Sequence, residues 1–303
     1  MTTDRTTTGQ FPRKLVNGLW VLGNYYFNLY LVKGEQGTAL IEAGVSAVVD
    51  DVIHQLQSLK ISPTFLIVTH PHADHVSGLP GLKEKYPQLF VVAGEGAQEF
   101  LAHPKAVKPL LIEDRHMTEF LAAKGIKPGR PPLDEPPTLE SCLVAKDGDE
   151  MDLGGLSLRF LTVKGHSPGK IVVHVPEINS LIISDSLGFR YPGRGVFPLF
   201  LTSYPDYVAA LDRLQSLNSR IVGPAHQGPL IGAEVEAAFQ ESRQEAETLR
   251  ERIVNDPREL QEVADDIFRE YYRDECKIYT PENIMNCARL LVKRAREQNP
   301  PLL

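Results

Sequence analysis

A chain of 303 residues with 42% hydrophobic and 23% charged residues, 23 glycines and 23 prolines excludes a long disordered, collagenous or coiled-coil protein. At about 150 residues per domain the length predicts two domains, or one large α/β sandwich with an addition. The net charge of −7 repels phosphate backbones, and no apolar run approaches the ~18 residues of a membrane span, so neither nucleic acid nor a membrane is an expected partner.

Met1–Arg5 leads into polar residues without the apolar region of a signal peptide. With only three well-separated cysteines, Cys142, Cys276 and Cys287, the chain is expected in a reducing, cytoplasmic compartment. Leu19–Leu22, Tyr26–Val32 and Thr38–Ile41 are rich in aromatic and branched residues and read as a meander of short strands. Ser46 reads as the N-cap of a helix over Ala47–Lys60, where Val48, Val49, Ile53, Leu56 and Leu59 recur at helical spacing. Phe65–Val68 is a continuous apolar run, the pattern of a strand buried on both faces, and Phe90–Ala93 is similar. Residues 103–140 carry seven prolines around a helix expected over Ile112–Lys124, and read as an insertion lying over the core. Leu158–Val163, Lys170–Val175, Leu181–Ser184 and Ile221–Val222 read as later strands, with a helix over Tyr207–Leu217 capped by Asp206.

From residue 235 onward 26 of 69 residues are charged, which marks a helical segment with a wet face. Val263, Ile267, Phe268, Tyr271 and Tyr272 on one helix, and Leu290 and Leu291 on another, give it apolar stripes for docking and for a homodimer. The expected architecture is an α/β sandwich of two sheets covered by helices over residues 1–234, followed by the helical segment 235–303.

Chemistry concentrates in Thr69-His70-Pro71-His72-Ala73-Asp74-His75, directly after the buried strand. Residues two apart in an extended segment point the same way, so His70 and His72 can grip one ion. Where the chain turns toward a helix, Asp74 and His75 can face another. His166, in Gly-His-Ser-Pro-Gly, Asp185 after Leu181–Ser184, and His226, in Gly-Pro-Ala-His, all lie at strand ends beside glycine or proline or after a strand. Five histidines and two carboxylates make a nitrogen–oxygen donor set suited to zinc first, and also to iron or manganese. The other four histidines, His54, His103, His116 and His174, read as structural.

In these motifs and their order the chain resembles the metallo-β-lactamase superfamily over roughly residues 15–235. The resemblance implies an αββα sandwich with two divalent metal ions. It assigns His70, His72 and His166 to the first ion, Asp74, His75 and His226 to the second, and Asp185 as the bridge beside a water or hydroxide. The complete set is similar to the hydrolase branch with two metals, such as glyoxalase II and lactonases. Asp185–Phe189, Pro198–Phe200 and Asp206-Tyr207 resemble the quinolone-signal response thioesterase. Where the family often carries Asp-x-Gly, this chain has Glu42-Ala43-Gly44, so Glu42 is expected to orient a ligand histidine.

Two cations about 3.5–4 Å apart turn a shared water into hydroxide near neutral pH. The expected reaction is therefore hydrolysis of an ester-like carbonyl in a small molecule, a thioester first and a lactone second, with Asp74 also accepting a hydrogen bond from the attacking hydroxide. Phe189, Arg190, Tyr191, Arg194, Phe197 and Tyr204, which follow Asp185, are the expected substrate residues: the aromatics for an acyl chain, the arginines for an anionic group. The competing expectations are phosphodiester cleavage, a one-iron oxygenase and a signalling protein that keeps its metals for stability.

Overall fold

Alternating apolar residues build the first sheet. In a computed structural model, which describes residues 11–297, β1 (Arg13–Val16), β2 (Leu19–Gly23), β3 (Asn28–Lys33) and β4 (Thr38–Ile41) form an antiparallel meander. β5 (Phe65–Val68), β6 (Phe90–Gly94) and β7 (Leu143–Ala145) extend it in parallel. Parallel neighbours need crossovers, supplied by α1 (Val49–Ser58), α2 (Ala73–Val76), α3 (Leu79–Lys85), α4 (Ala97–Ala102) and α5 (Pro104–Ala123). The polar stretch Met1–Arg5 lies outside the described residues.

The second half contributes β8 (Glu150–Asp152), β9 (Ser157–Thr162), β10 (Ile171–Val175) and β11 (Ser180–Ile182). A separate ribbon follows, β12 (Phe189–Tyr191) with β13 (Gly195–Phe197), and then α6 (Tyr204–Gln215). β14 (Ile221–Gly223) and β15 (Leu230–Ile231) complete a six-stranded sheet in the order β15-β14-β11-β10-β9-β8. The chain ends in α7 (Ala233–Asn255), α8 (Leu260–Tyr271) and α9 (Pro281–Arg296).

The two sheets face each other through Leu19, Val21, Tyr30 and Ile67 on one side and Leu158, Phe160, Ile171 and Val173 on the other. The alternate residues of the first sheet, Leu22, Leu29, Leu66 and Val68, pack in one cluster with residues of α1, α3 and α5. Those of the second, Leu161, Val172, Leu181 and Val222, pack with residues of α6 to α9. The result is an αββα sandwich with added C-terminal helices. β5 shows why its run is unbroken: Ile67 faces the inter-sheet core while Leu66 and Val68 face the helices. Val263, Ile267, Tyr271 and Leu291, from the apolar stripes of the last helices, are buried in the outer core. Among the described residues no helix is long and apolar enough to cross a membrane.

Three local expectations are corrected. Ser46 does not cap α1; it opens a 3-10 turn (Ser46–Val48), and its amide and hydroxyl both donate to the buried Asp114, at 3.0 and 2.7 Å. Asp206 does not cap α6 either: Ser203 does, accepting from the Asp206 amide, with Pro205 in the first turn. The helix expected from Ile112 starts at Pro104, because His103 caps it and Pro104 suits its first turn. Nor does it merely lie over the core, since Leu110, Met117 and Leu121 are part of it.

Candidate metal centre

The seven candidate ligands converge because each lies just beyond the end of a strand. β5 ends at Val68, Pro71 breaks the extended run, and His72 sits in extended backbone at the start of the one-turn helix α2. His70 therefore comes from the bend after β5 and His72 from extended backbone, while Asp74 and His75 come from the helical turn. His166 lies between β9 and β10, Asp185 in a 3-10 turn after β11, and His226 after β14. Ser184, ahead of Asp185, has φ +52°, a left-handed conformation uncommon outside glycine and often found at functional sites.

Two groups form. His70, His72, His166 and Asp185 make one, and Asp74, His75, Asp185 and His226 the other, with the candidate ligand atoms of each group within 4.8 Å of one another. Asp185 belongs to both: its Oδ2 lies 3.5 Å from His70 Nε2 and 3.0 Å from His75 Nε2, and its Oδ1 3.5 Å from His226 Nε2. His226 Nε2 is also 3.4 Å from Asp74 Oδ2.

The outward ring nitrogens explain why the inward ones are free to ligate. His166 Nδ1 donates to the Leu199 carbonyl at 3.2 Å, and His226 Nδ1 to the Tyr26 carbonyl at 2.6 Å. His75 Nδ1 faces Glu42 Oε2 at 3.1 Å. The Thr69 hydroxyl donates to Glu42 Oε1 at 2.7 Å and accepts from His70 Nδ1 at 3.1 Å. The Glu42 carboxylate thus orients one histidine of each group, directly or through Thr69. With their protons assigned outward by this network, His70 Nε2 and His166 Nε2 bring lone pairs within 3.2 Å of each other. His72 Nδ1 is 3.0 Å from His70 Nε2. A shared cation turns that repulsion into coordination, so the donor set fits a metal.

Electrostatics agree. Burial pushes His70 and His166 well below the ordinary histidine value, and His72 down to about 4, leaving them neutral as ligands must be. At His75 burial pulls the same way, but Asp74, Glu42 and Asp185 outweigh it and hold the ring well above its usual value. Burial works against charge on Asp74 and Asp185 as well, yet His75 above all keeps both well below the carboxylate range.

The expected substrate residues separate. Phe189 and Phe197 line a chamber of about 790 Å³ that opens onto His72, Asp74, His166 and Asp185. Arg190, Tyr191, Arg194 and Tyr204 are not among its lining residues and have partners elsewhere. Arg190 pairs with Glu241, Arg194 with Asp274 and Glu275, Tyr191 donates to the Tyr271 carbonyl, and Arg250 stacks on Tyr204. The remaining wall is mostly apolar and comes from Phe100, from Leu199 and Leu201 after β13, from the segment between α8 and α9, and from α5 and α9 themselves, including Leu110, Met117 and Ile284.

Two participants have no local sequence signal. Tyr279, between α8 and α9, places its hydroxyl 2.8 Å from Asp74 Oδ2 and 3.1 Å from His226 Nε2. Lys170 is 1% exposed, its Nζ has no hydrogen-bond partner among the described residues, and burial lowers its ammonium pKa against the pull of Asp185, Glu42 and Asp74.

A family model described as the metallo-beta-lactamase superfamily matches residues 24–226. The chain belongs to the metallo-beta-lactamase superfamily. Within that superfamily it is 28% identical over 203 residues to a metallo-beta-lactamase fold-containing protein of Sulfurisphaera tokodaii, covering 66% of this chain and 72% of that one. It is 27% identical over 218 residues to an acyl-coenzyme A thioesterase of Gallus gallus, covering 66% and 73%. A hydroxyacylglutathione hydrolase of Ruegeria pomeroyi is 27% identical over 180 residues, covering 59% of this chain, which spans about half of that enzyme, 53%. The fold matches a solved metallo-beta-lactamase family protein from Thermus thermophilus with a TM-score of 0.62 at 20% identity, over 90% of this chain and 93% of that one.

Proposed function

We propose that this protein hydrolyses a small-molecule acyl thioester at a two-metal centre, with the acyl chain held in the apolar chamber. One observation carries the reading: two groups of nitrogen and oxygen donors share Asp185 at the wall of a chamber lined mainly by apolar side chains. When bound, a pair of divalent cations, zinc before iron or manganese, supplies an activated water near neutral pH and draws charge from a carbonyl oxygen.

The chain's own residues do the rest. Glu42, Thr69 and the carbonyls of Leu199 and Tyr26 hold four imidazoles with their ring protons outward. Asp74 faces the chamber as an acceptor able to orient the attacking water. Phe189, Leu110 and Met117 present apolar surface to an acyl chain and exclude competing water. The chemistry of a thioester also fits two relatives whose names specify acyl-coenzyme A and hydroxyacylglutathione. A lactone is the second reading, because the same attack opens a cyclic ester.

Purified protein with measured metal content should be assayed on acyl thioesters of increasing chain length and on lactones of matched length. Thioester turnover above lactone turnover is expected. Lack of turnover of either class by fully loaded protein would contradict the hydrolase reading and return the site to a structural or signalling role.

A further inference from the structure

We propose that Tyr279 is a catalytic residue: its phenol hydrogen stabilises the substrate carbonyl oxygen as that atom gains negative charge. The proposal deepens the thioester reading and rests on it for the identity of the carbonyl. It also makes the C-terminal segment part of the active site, since Tyr279 lies more than fifty residues beyond the last candidate ligand, His226.

The use of the hydroxyl sets the partly buried Tyr279 apart from two buried tyrosines. Tyr30 donates to the Pro224 carbonyl and Tyr191 to the Tyr271 carbonyl, the usual way to satisfy a buried phenol. Tyr279 instead directs its oxygen to Asp74 Oδ2 at 2.8 Å and His226 Nε2 at 3.1 Å, and it lines the chamber beside Asp74. A carboxylate only accepts, so in the resting site the phenol hydrogen is given to Asp74 Oδ2, at the edge of the chamber. A substrate oxygen arriving in the chamber beside Asp74 takes over that hydrogen by a turn of the hydroxyl about its C–O bond.

The segment is held as a preorganised donor requires. The Thr280 amide donates to Glu113 Oε2 at 3.1 Å, and the Thr280 hydroxyl donates to Glu113 Oε1. His116 Nε2 meets the Lys277 carbonyl at 3.1 Å, and the Tyr272 hydroxyl donates to the Tyr279 carbonyl at 3.3 Å. Glu113 and His116 both come from α5, so the helix that walls the chamber also fixes the donor. Glu113 is thus a positioning residue.

The reaction balances without consuming Tyr279. The oxygen of the attacking water, its proton lost to solvent, bonds to the carbonyl carbon, and the π pair moves onto the carbonyl oxygen, where the phenol hydrogen meets it. The pair then returns, the carbon–sulfur bond breaks, and sulfur leaves with the bonding electrons and takes up the proton of the new acid. The phenol keeps its proton throughout.

The test is Tyr279→Phe, which removes one oxygen and keeps the ring packing. With wild-type metal content by elemental analysis, kcat on an acyl thioester is expected to fall roughly 10²–10³-fold while KM stays within about threefold. In parallel, the metal-loaded proteins are titrated with octylphosphonate, a tetrahedral anion with an apolar tail, whose Kd is expected to weaken at least about tenfold in Tyr279→Phe. Thr280→Val should lower kcat in the same direction, and Thr280→Ser should restore it. Wild-type kcat in Tyr279→Phe, or unchanged phosphonate affinity, overturns the proposal. So does loss of a metal ion or a changed visible spectrum of the cobalt-substituted variant, since either makes Tyr279 a ligand. If wild type turns over no thioester, the substrate reading fails, and the phosphonate comparison still decides the role of Tyr279.

Discussion

Glu42→Gln isolates the group that ties the two halves of the metal centre together. Glu42 is 2% exposed and accepts from His75 Nδ1 at 3.1 Å and from Thr69 at 2.7 Å, and Thr69 in turn accepts from His70. Glutamine preserves length and shape but turns one oxygen into an amide nitrogen, a donor. If the nitrogen faces His75, two donors oppose each other and His75 keeps its proton on the inward nitrogen, the atom that must ligate. If it faces Thr69, the hydroxyl must accept instead and turns its own hydrogen to Ser184 Oγ, 3.2 Å away, so the amide oxygen is left on His75 and the tautomers hold. The first orientation spoils His75, and in both a negative charge beside the candidate ligands is lost. Loss of such an orienting partner weakens metal affinity about 10–100-fold, or roughly 1.4–2.7 kcal/mol. Competition against a chelating dye, with the metal-free fold checked by circular dichroism, measures it. Affinity of both ions within about threefold of wild type would refute the tautomer argument.

Other consequences are equally direct. Asp185→Asn should reduce metal content toward one ion per chain and lower turnover at least about a hundredfold, because one side chain serves both groups; full content at the wild-type rate would exclude the bridge. If the chamber of about 790 Å³ holds the acyl chain, kcat/KM should rise roughly three- to fourfold per added methylene until the chamber fills, and a flat series would count against it. The carboxylates around His75 hold it well above the usual histidine value, so without metal its inward nitrogen is expected to carry a second ring proton at neutral pH. Loading must therefore displace that proton, and affinity should rise with pH through this raised value; calorimetry in buffers of different ionisation enthalpy should detect release, and none is expected from His70 or His166. Asp114→Ala would strand the Ser46 and Leu133 amides and the Ser46 hydroxyl, costing at least about 3 kcal/mol in urea unfolding.

The grouping of the seven candidates was legible because its members obey local rules. A strand buried on both faces needs an unbroken apolar run, and a following Pro71 shows where it stops. His166 and Asp185 also follow recognisable strands. Ser46 and the chamber were not legible, for a shared reason: the deciding partner is distant in the chain. Ser46 looks like a cap until Asp114, 68 residues on, takes its hydroxyl. Residues after Asp185 are expected to bind substrate through proximity in sequence, yet four of those six side chains turn to partners elsewhere, and α5 and α9 supply much of the wall beside Phe189 and Phe197. Tyr279 reaches Asp74 across 205 residues, a distance over which no periodicity carries information. The α6 cap is different. Ser203 with Pro205 was a readable start signal, and Asp206 drew attention from it only by standing nearer the apolar repeat.

The metal count tests the central claim most directly. Elemental analysis of the purified protein, paired with anomalous scattering from crystals, should give two cations per chain, one on each side of Asp185, both absent after His72→Ala with Asp74→Ala. A single ion, or none, in protein that keeps all seven candidate ligands would contradict it.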